Sequence, residues 1–202
     1  MPSVPKLSHL SRLVTDTKAF TGGTQLKKRY IRMMKYILLF LLISNASLAN
    51  VKMSVDEALN KYLGQYNIES KKLYLSQKNV DKLSERSESK FTNRIFSYYE
   101  ASKNGKRVYT AYLITHRLRT RTQTLFIVFK ANGEMKSAEV IAFYEPEEYI
   151  MTQPWLKQFN NKKVNNMPTQ NEVIRVSNST ISYNETTKAI RRIANVNSFI
   201  YD

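Results

Sequence analysis

Cysteine is missing from all 202 residues. This excludes disulfides, thiol catalysis, iron–sulfur clusters and c-type haem. Histidine is nearly missing: beyond the first 49 residues only His116 remains. No His/carboxylate cluster therefore has the spacing of a zinc site, and a Ser-His-Asp triad would have to use His116. There is no Gly-rich dinucleotide fingerprint and no P-loop, no internal repeat and no low-complexity tract. The one long apolar run, Ile37 to Ile43, is too short to span a bilayer, which takes about 20 residues.

What is present divides the chain. Lys27, Lys28, Arg29, Arg32 and Lys35 precede that apolar run, and Ser47 and Ala49 follow it as small residues. Positive n-region, short apolar core and S-x-A site together predict a secretory signal peptide, cleaved after Ala49 and before Asn50. Residues before Met33 are polar and do not suit a usual n-region, so a start at Met33 or Met34 is preferred to an unusually long leader. Residues 1–49 are thus set apart as leader. The full chain carries a net charge of +16; eight of its 32 Lys/Arg and one of its 16 acids lie in the leader, leaving +9 for the mature part. That excess favours acidic partners or an anionic membrane surface. Nucleic acid is not an expected partner of an exported protein. No cysteine follows the apolar core to carry a lipid, so a free periplasmic protein is expected. Redox work by a chain of this composition requires a borrowed organic cofactor.

The mature part reads as one α+β domain. Ser54 and Glu57 form a capping box opening a helix that Gly64 ends. A short strand is expected at residues 73–75, and Ser76 caps a second short helix. Strands are expected at residues 94–101, 107–115, 124–130 and 135–144. Asn104-Gly105 and Asn132-Gly133 supply the hairpin turns. Consecutive hairpins imply an antiparallel sheet. A turn-rich stretch with Glu145, Pro146 and Trp155 follows, then a polar loop over 160–169 and a brief strand over 173–176. Ser182, with Glu185 three residues on, is expected to cap the last helix. Its apolar face is Thr186, Ala189, Ile190 and Ile193, and Arg191 and Arg192 are expected on its solvated side. Residues 50–90 form an N-terminal helical segment and 91–202 the main body.

Several stretches carry a family likeness. Thr115-His116 and Arg119-Thr120 lead into Leu125-Phe126-Ile127-Val128-Phe129. Then come Glu139-Val140-Ile141-Ala142-Phe143, Glu145-Pro146-Glu147-Glu148-Tyr149 and Trp155-Leu156-Lys157-Gln158-Phe159. This order resembles the exported FMN-binding domain family, which includes the periplasmic flavin subunits of Rnf-type and sodium-pumping NADH:quinone oxidoreductase complexes. The likeness covers roughly residues 94–193 and is nearest to stand-alone members. It implies an antiparallel sheet of hairpins with N-terminal helices and a C-terminal helix. It also implies FMN, held through a phosphoester to a Thr or Ser in an S/T-G-A-T/S pattern and attached by a separate flavin transferase using FAD and a divalent metal.

Counted back from Ala189, the pattern falls on Ser177-Asn178-Ser179-Thr180. Thr180 is then the acceptor, and Ser177, Asn178 and Ser179 are candidate donors to the phosphate. The resemblance also implicates Glu145 near the flavin ring. His116 is a candidate for the ring edge or phosphate, against a plain surface-loop residue; Tyr149 and Trp155 either line the ring or pack the core. Two positions depart from the pattern: Asn178 stands for glycine and Ser179 for alanine. Ile174 and Arg175 stand where an acidic residue is usual. Asparagine is the best replacement where glycine adopts positive φ. Two functions remain open: an electron carrier serving membrane redox proteins, or a flavin-free member that binds or assembles in the cell envelope.

Overall fold

Two tight turns organise the chain. Asn104 and Gly105 both take positive φ, 51° and 71°, as a type I′ hairpin requires. They join β3 (Ile95–Lys103) to β4 (Lys106–Arg117). Gly133, at φ 83°, turns β5 (Thr122–Lys130) back into β6 (Met135–Phe143). The computed structural model describes residues 50–87 and 91–201. The expected leader, signal peptide and cleavage site lie outside the described residues.

With β1 (Asn50–Val51) and β2 (Asn67–Tyr74), these strands form an antiparallel sheet in the order β1-β6-β5-β4-β3-β2. The α+β reading with an antiparallel sheet therefore holds. Strand β5 is central: Leu125 to Phe129 are all buried, so its apolar run does not alternate with polar residues. Leu125, Ile127 and Phe129 join the larger core; Phe126 and Val128 face the smaller one.

Helix α1 (Val55–Leu63) covers the smaller core with Ala58 and Leu63. Its capping box is formed as expected: Ser54 Oγ accepts from Glu57 N–H at 3.1 Å, and Glu57 accepts from Ser54 N–H at 2.7 Å. On the other face lie α2 (Gln77–Arg86), α3 (Gln153–Leu156) and the long α4 (Thr180–Tyr201). They bring Val80, Leu83, Trp155, Leu156, Ile190 and Ile193 into the larger core. Polar bonds fix α4 in register: buried Asn197 accepts from Thr110 Oγ1 at 2.7 Å and from Tyr112 OH at 3.2 Å. Among the described residues no helix is long and apolar enough to cross a membrane.

Four local expectations change. The strand expected at 73–75 is β2, eight residues long, paired along its length with β3. Residues 173–176 are not a strand. Ile174 N–H instead donates to Gln158 Oε1 and its carbonyl accepts from Trp155 Nε1, so side chains satisfy that backbone. Helix α4 starts at Thr180, which puts Ser182 inside its first turn rather than at the cap. Finally, Arg191 and Arg192 are half-buried rather than solvated. Arg191 donates to Met167 O, and the Arg192 guanidinium lies 4.2 Å over the Phe91 ring.

Candidate functional site

The start of α4 is built without a side-chain cap. Ser179 is the N-cap residue, since its carbonyl accepts from Tyr183 N–H at 3.0 Å. A serine there normally turns its hydroxyl onto the first free N–H groups. Ser179 instead sends Oγ to Glu148 O at 3.4 Å and is buried. Ser179 N–H is satisfied by Val176 O at 3.2 Å. The N–H groups of Thr180, Ile181 and Ser182 are left with no acceptor among the described residues. Three free donors and the positive end of a 22-residue helix therefore meet at one place.

Asn178 makes the sharp entry possible. It holds φ 61°, in the left-handed region that glycine tolerates best and asparagine next. Ser177 and Asn178 lie exposed in that turn, and Thr180, the first helical residue, is exposed beside them.

A cavity of about 390 Å³ opens over this end of the helix, lined by Arg119, Tyr149 and the run from Asn178 to Ser182. Arg119 lies with its guanidinium 4.6 Å over the Tyr149 ring. Ser182 is 1% exposed and its Oγ has no hydrogen-bond partner among the described residues. The cavity thus offers one fixed positive charge, free amide donors, the Thr180 hydroxyl and one buried unpaired hydroxyl. This is the chemistry of an anion site, and a phosphate suits it.

Glu145 does not line the cavity. Its carboxylate accepts from the N–H groups of Arg119 (3.3 Å), Thr120 (2.6 Å) and Arg121 (2.7 Å) and from Thr120 Oγ1 (3.2 Å). Glu145 therefore shapes the turn that presents Arg119. Desolvation raises its carboxyl, but the Arg121 and Thr120 N–H groups, the Thr120 hydroxyl and the Arg119 N–H outweigh it and hold the pKa below the ordinary value. Its role is to position Arg119.

Trp155 and His116 stand apart from the cavity. Trp155 is 5% exposed, packs its ring 5.5 Å from Phe159 and donates to Ile174 O at 2.7 Å. It is a core residue that ties down the segment leading to Asn178. His116 faces Gln123, its Nε2 3.0 Å from Gln123 Nε2, and Gln123 in turn reaches Thr186 of α4 at 2.7 Å. Burial pushes the imidazole down to about 4, against an opposing pull from Glu185. It is neutral at pH 7 and carries no charge for a phosphate.

Of the sequence candidates, Ser179, Thr180, Asn178 and Tyr149 share the cavity wall, and Ser177 stands in the adjoining turn. Arg119 and Ser182 belong to that wall without having been candidates for it. Their signal was weak in the sequence: Arg119 is one arginine of a basic turn, and Ser182 reads as a cap until the helix start is known. Among the described residues no three His, Asp or Glu side chains gather as a metal site. The chain matches no family model and no curated protein.

Proposed function

We propose that the chain is an FMN-binding electron carrier of the cell envelope, with the flavin phosphate seated at the start of α4. The observation that carries this reading is the uncapped helix end, with Thr180 at its first position and Arg119 across the cavity. The Asn178 turn supports it, because a positive-φ residue stands where the FMN-binding pattern has glycine. The unpaired Ser182 hydroxyl supports it too, since a buried orphan of this kind calls for a partner. The cavity falls in the size range of small-molecule sites, roughly 300–1,000 Å³.

In this reading the free N–H groups and Arg119 neutralise the phosphate, Tyr149 offers an aromatic wall to the ring, and Glu145 holds Arg119 in place. FMN, when bound, supplies one- or two-electron transfer. The residues supply position, charge balance and partial exclusion of water. Attachment would be a phosphoester on Thr180 Oγ1, made by a flavin transferase from FAD with a divalent metal, AMP being released. Electrons would pass to and from a membrane redox protein, which the basic surface would steer onto this carrier. Periplasmic location and an FMN-binding-domain fold belong to the same proposal.

A flavin-free envelope protein is the second reading. Arg175 favours it, as an exposed cation where an acid is usual. Titrating free FMN against the purified chain, followed by flavin fluorescence, separates the two. The carrier reading expects saturable binding that Arg119→Ala weakens tenfold or more. Absence of binding to a folded protein under reconstitution would favour the flavin-free reading.

A further inference from the structure

A second cavity, of about 490 Å³, lies along the C-terminal half of α4. Its walls include Arg86, Lys163, Arg191, Asn195, Ser198 and Tyr201. Thr180 and the nearest of these helix residues, Arg191, are roughly 16 Å apart along the helix axis, at about 1.5 Å per residue. The two cavities are therefore separate sites.

The second cavity is built by convergence. Arg191, Asn195 and Ser198 fall at i, i+4 and i+7, one face of α4. Arg86 comes from the last turn of α2, and Lys163 from the residue before the 3-10 turn Val164–Asn166. Three elements thus each bring one cation to one hollow. Among the described residues no carboxylate lines it, and no described ion pair uses Arg86, Lys163 or Arg191. The carboxylates that act on these cations from a distance are Glu172, toward Arg191, and Glu134, toward Lys163. Both are engaged elsewhere: Glu172 by Thr169, and Glu134 by Lys130 at 2.9 Å.

The floor is polar and rigid. Asn195 and Ser198 are 4% and 2% exposed and bond back to the helix, to Arg191 O at 2.9 Å and Asn195 O at 2.8 Å. Arg191 is oriented by its bond to Met167 O, the one hydrogen bond its guanidinium makes among the described residues, out of five N–H donors. Converging like charges repel, and a counter-anion of several charges relieves that cost. The last-turn carbonyls of α4 disfavour an anion at the Tyr201 end. Arg191, about three turns back, is the better pole.

We propose that this cavity binds a compact, multiply charged phosphate group, either free or as the headgroup of an anionic lipid. The inference does not depend on flavin, and its variants leave the Thr180 cavity intact. The test uses the full chain with two probes: pyrophosphate by titration calorimetry, and vesicles containing phosphatidic acid, whose phosphomonoester can carry two charges, against phosphatidylcholine vesicles, by co-sedimentation. Arg86→Gln/Lys163→Gln is the main variant, since both side chains are exposed; Arg191→Gln is the second, with its thermal midpoint measured alongside.

The proposal expects one saturable pyrophosphate site, weakened at least tenfold in the double variant without a change in midpoint, or pelleting with phosphatidic acid vesicles alone that the double variant loses. The first outcome without the second identifies a free phosphate as ligand, and the second identifies a headgroup. Absence of both, or binding that the double variant retains in full, overturns the proposal.

Discussion

Replacing Glu145 by alanine tests how the first cavity is held together. The carboxylate satisfies three successive N–H groups and the Thr120 hydroxyl. A hydrogen bond to a charged group is worth about 1.5–3 kcal/mol when desolvated. Glu145 is only half-buried, and water can serve the same donors once it is gone. The net cost of Glu145→Ala should therefore be about 1–2 kcal/mol, well below the sum of its bonds. For a domain of this size that is a fall of about 2–8 °C in Tm.

The pH dependence gives a sharper check. The folded-state pKa lies below the ordinary value of 4.5. Such a group contributes stability that is present above its unfolded value and lost as pH falls through the folded one. The gap between wild type and Glu145→Ala should thus be full at pH 7 and narrow below about pH 4.5. Urea midpoints at several pH values measure it, and Glu145→Gln should fall between the two. A gap that is absent at pH 7, or that stays constant into acid, would refute the carboxylate-held turn.

Three further outcomes follow from the structure. His116 is held neutral with a pKa near 4, so the stability it contributes above pH 6.5 is lost as pH falls toward 4. The loss is about 2–3 kcal/mol, and His116→Gln should flatten the urea midpoint over that window; an unchanged slope counts against its burial. Gly133→Ala should cost about 2 kcal/mol or more, since a Cβ there meets the Tyr201 ring and φ is 83°; a thermal melt within 1 °C of wild type contradicts that contact. Asn178→Gly should be nearly neutral while Asn178→Val costs about 1–2 kcal/mol, and equal denaturation midpoints for the two variants would deny the left-handed turn.

The parts of the fold legible in the sequence are those governed by short-range rules. The Ser54 capping box and both Asn-Gly turns carry their cause within four residues, and each forms as expected. The apolar run of β5 announces a buried central strand. Strand β2 was mostly hidden, because an edge strand bearing Glu69, Lys71 and Lys72 shows no apolar alternation; its partner β3 defines it. Val173 to Val176 misleads for the opposite reason: its β-branched residues suggest a strand, but Gln158 and Trp155 take its backbone bonds.

The site divides in the same way. Thr180 and Asn178 could be found by pattern, because helix entry and positive φ are local properties. Arg119 could not, because the bond its N–H donates to Glu145, 26 residues away, aims its turn. Nor could the three-cation hollow, since Arg86, Lys163 and Arg191 meet only when their elements pack.

The central claim is that Thr180 heads a flavin phosphate site. Intact-mass measurement of the chain, exported from cells that co-express a flavin transferase, tests it most directly. The account predicts a yellow protein heavier by one FMN less one water, with the gain abolished in Thr180→Ala. A colourless, folded protein of unchanged mass that shows no affinity for added FMN would contradict it.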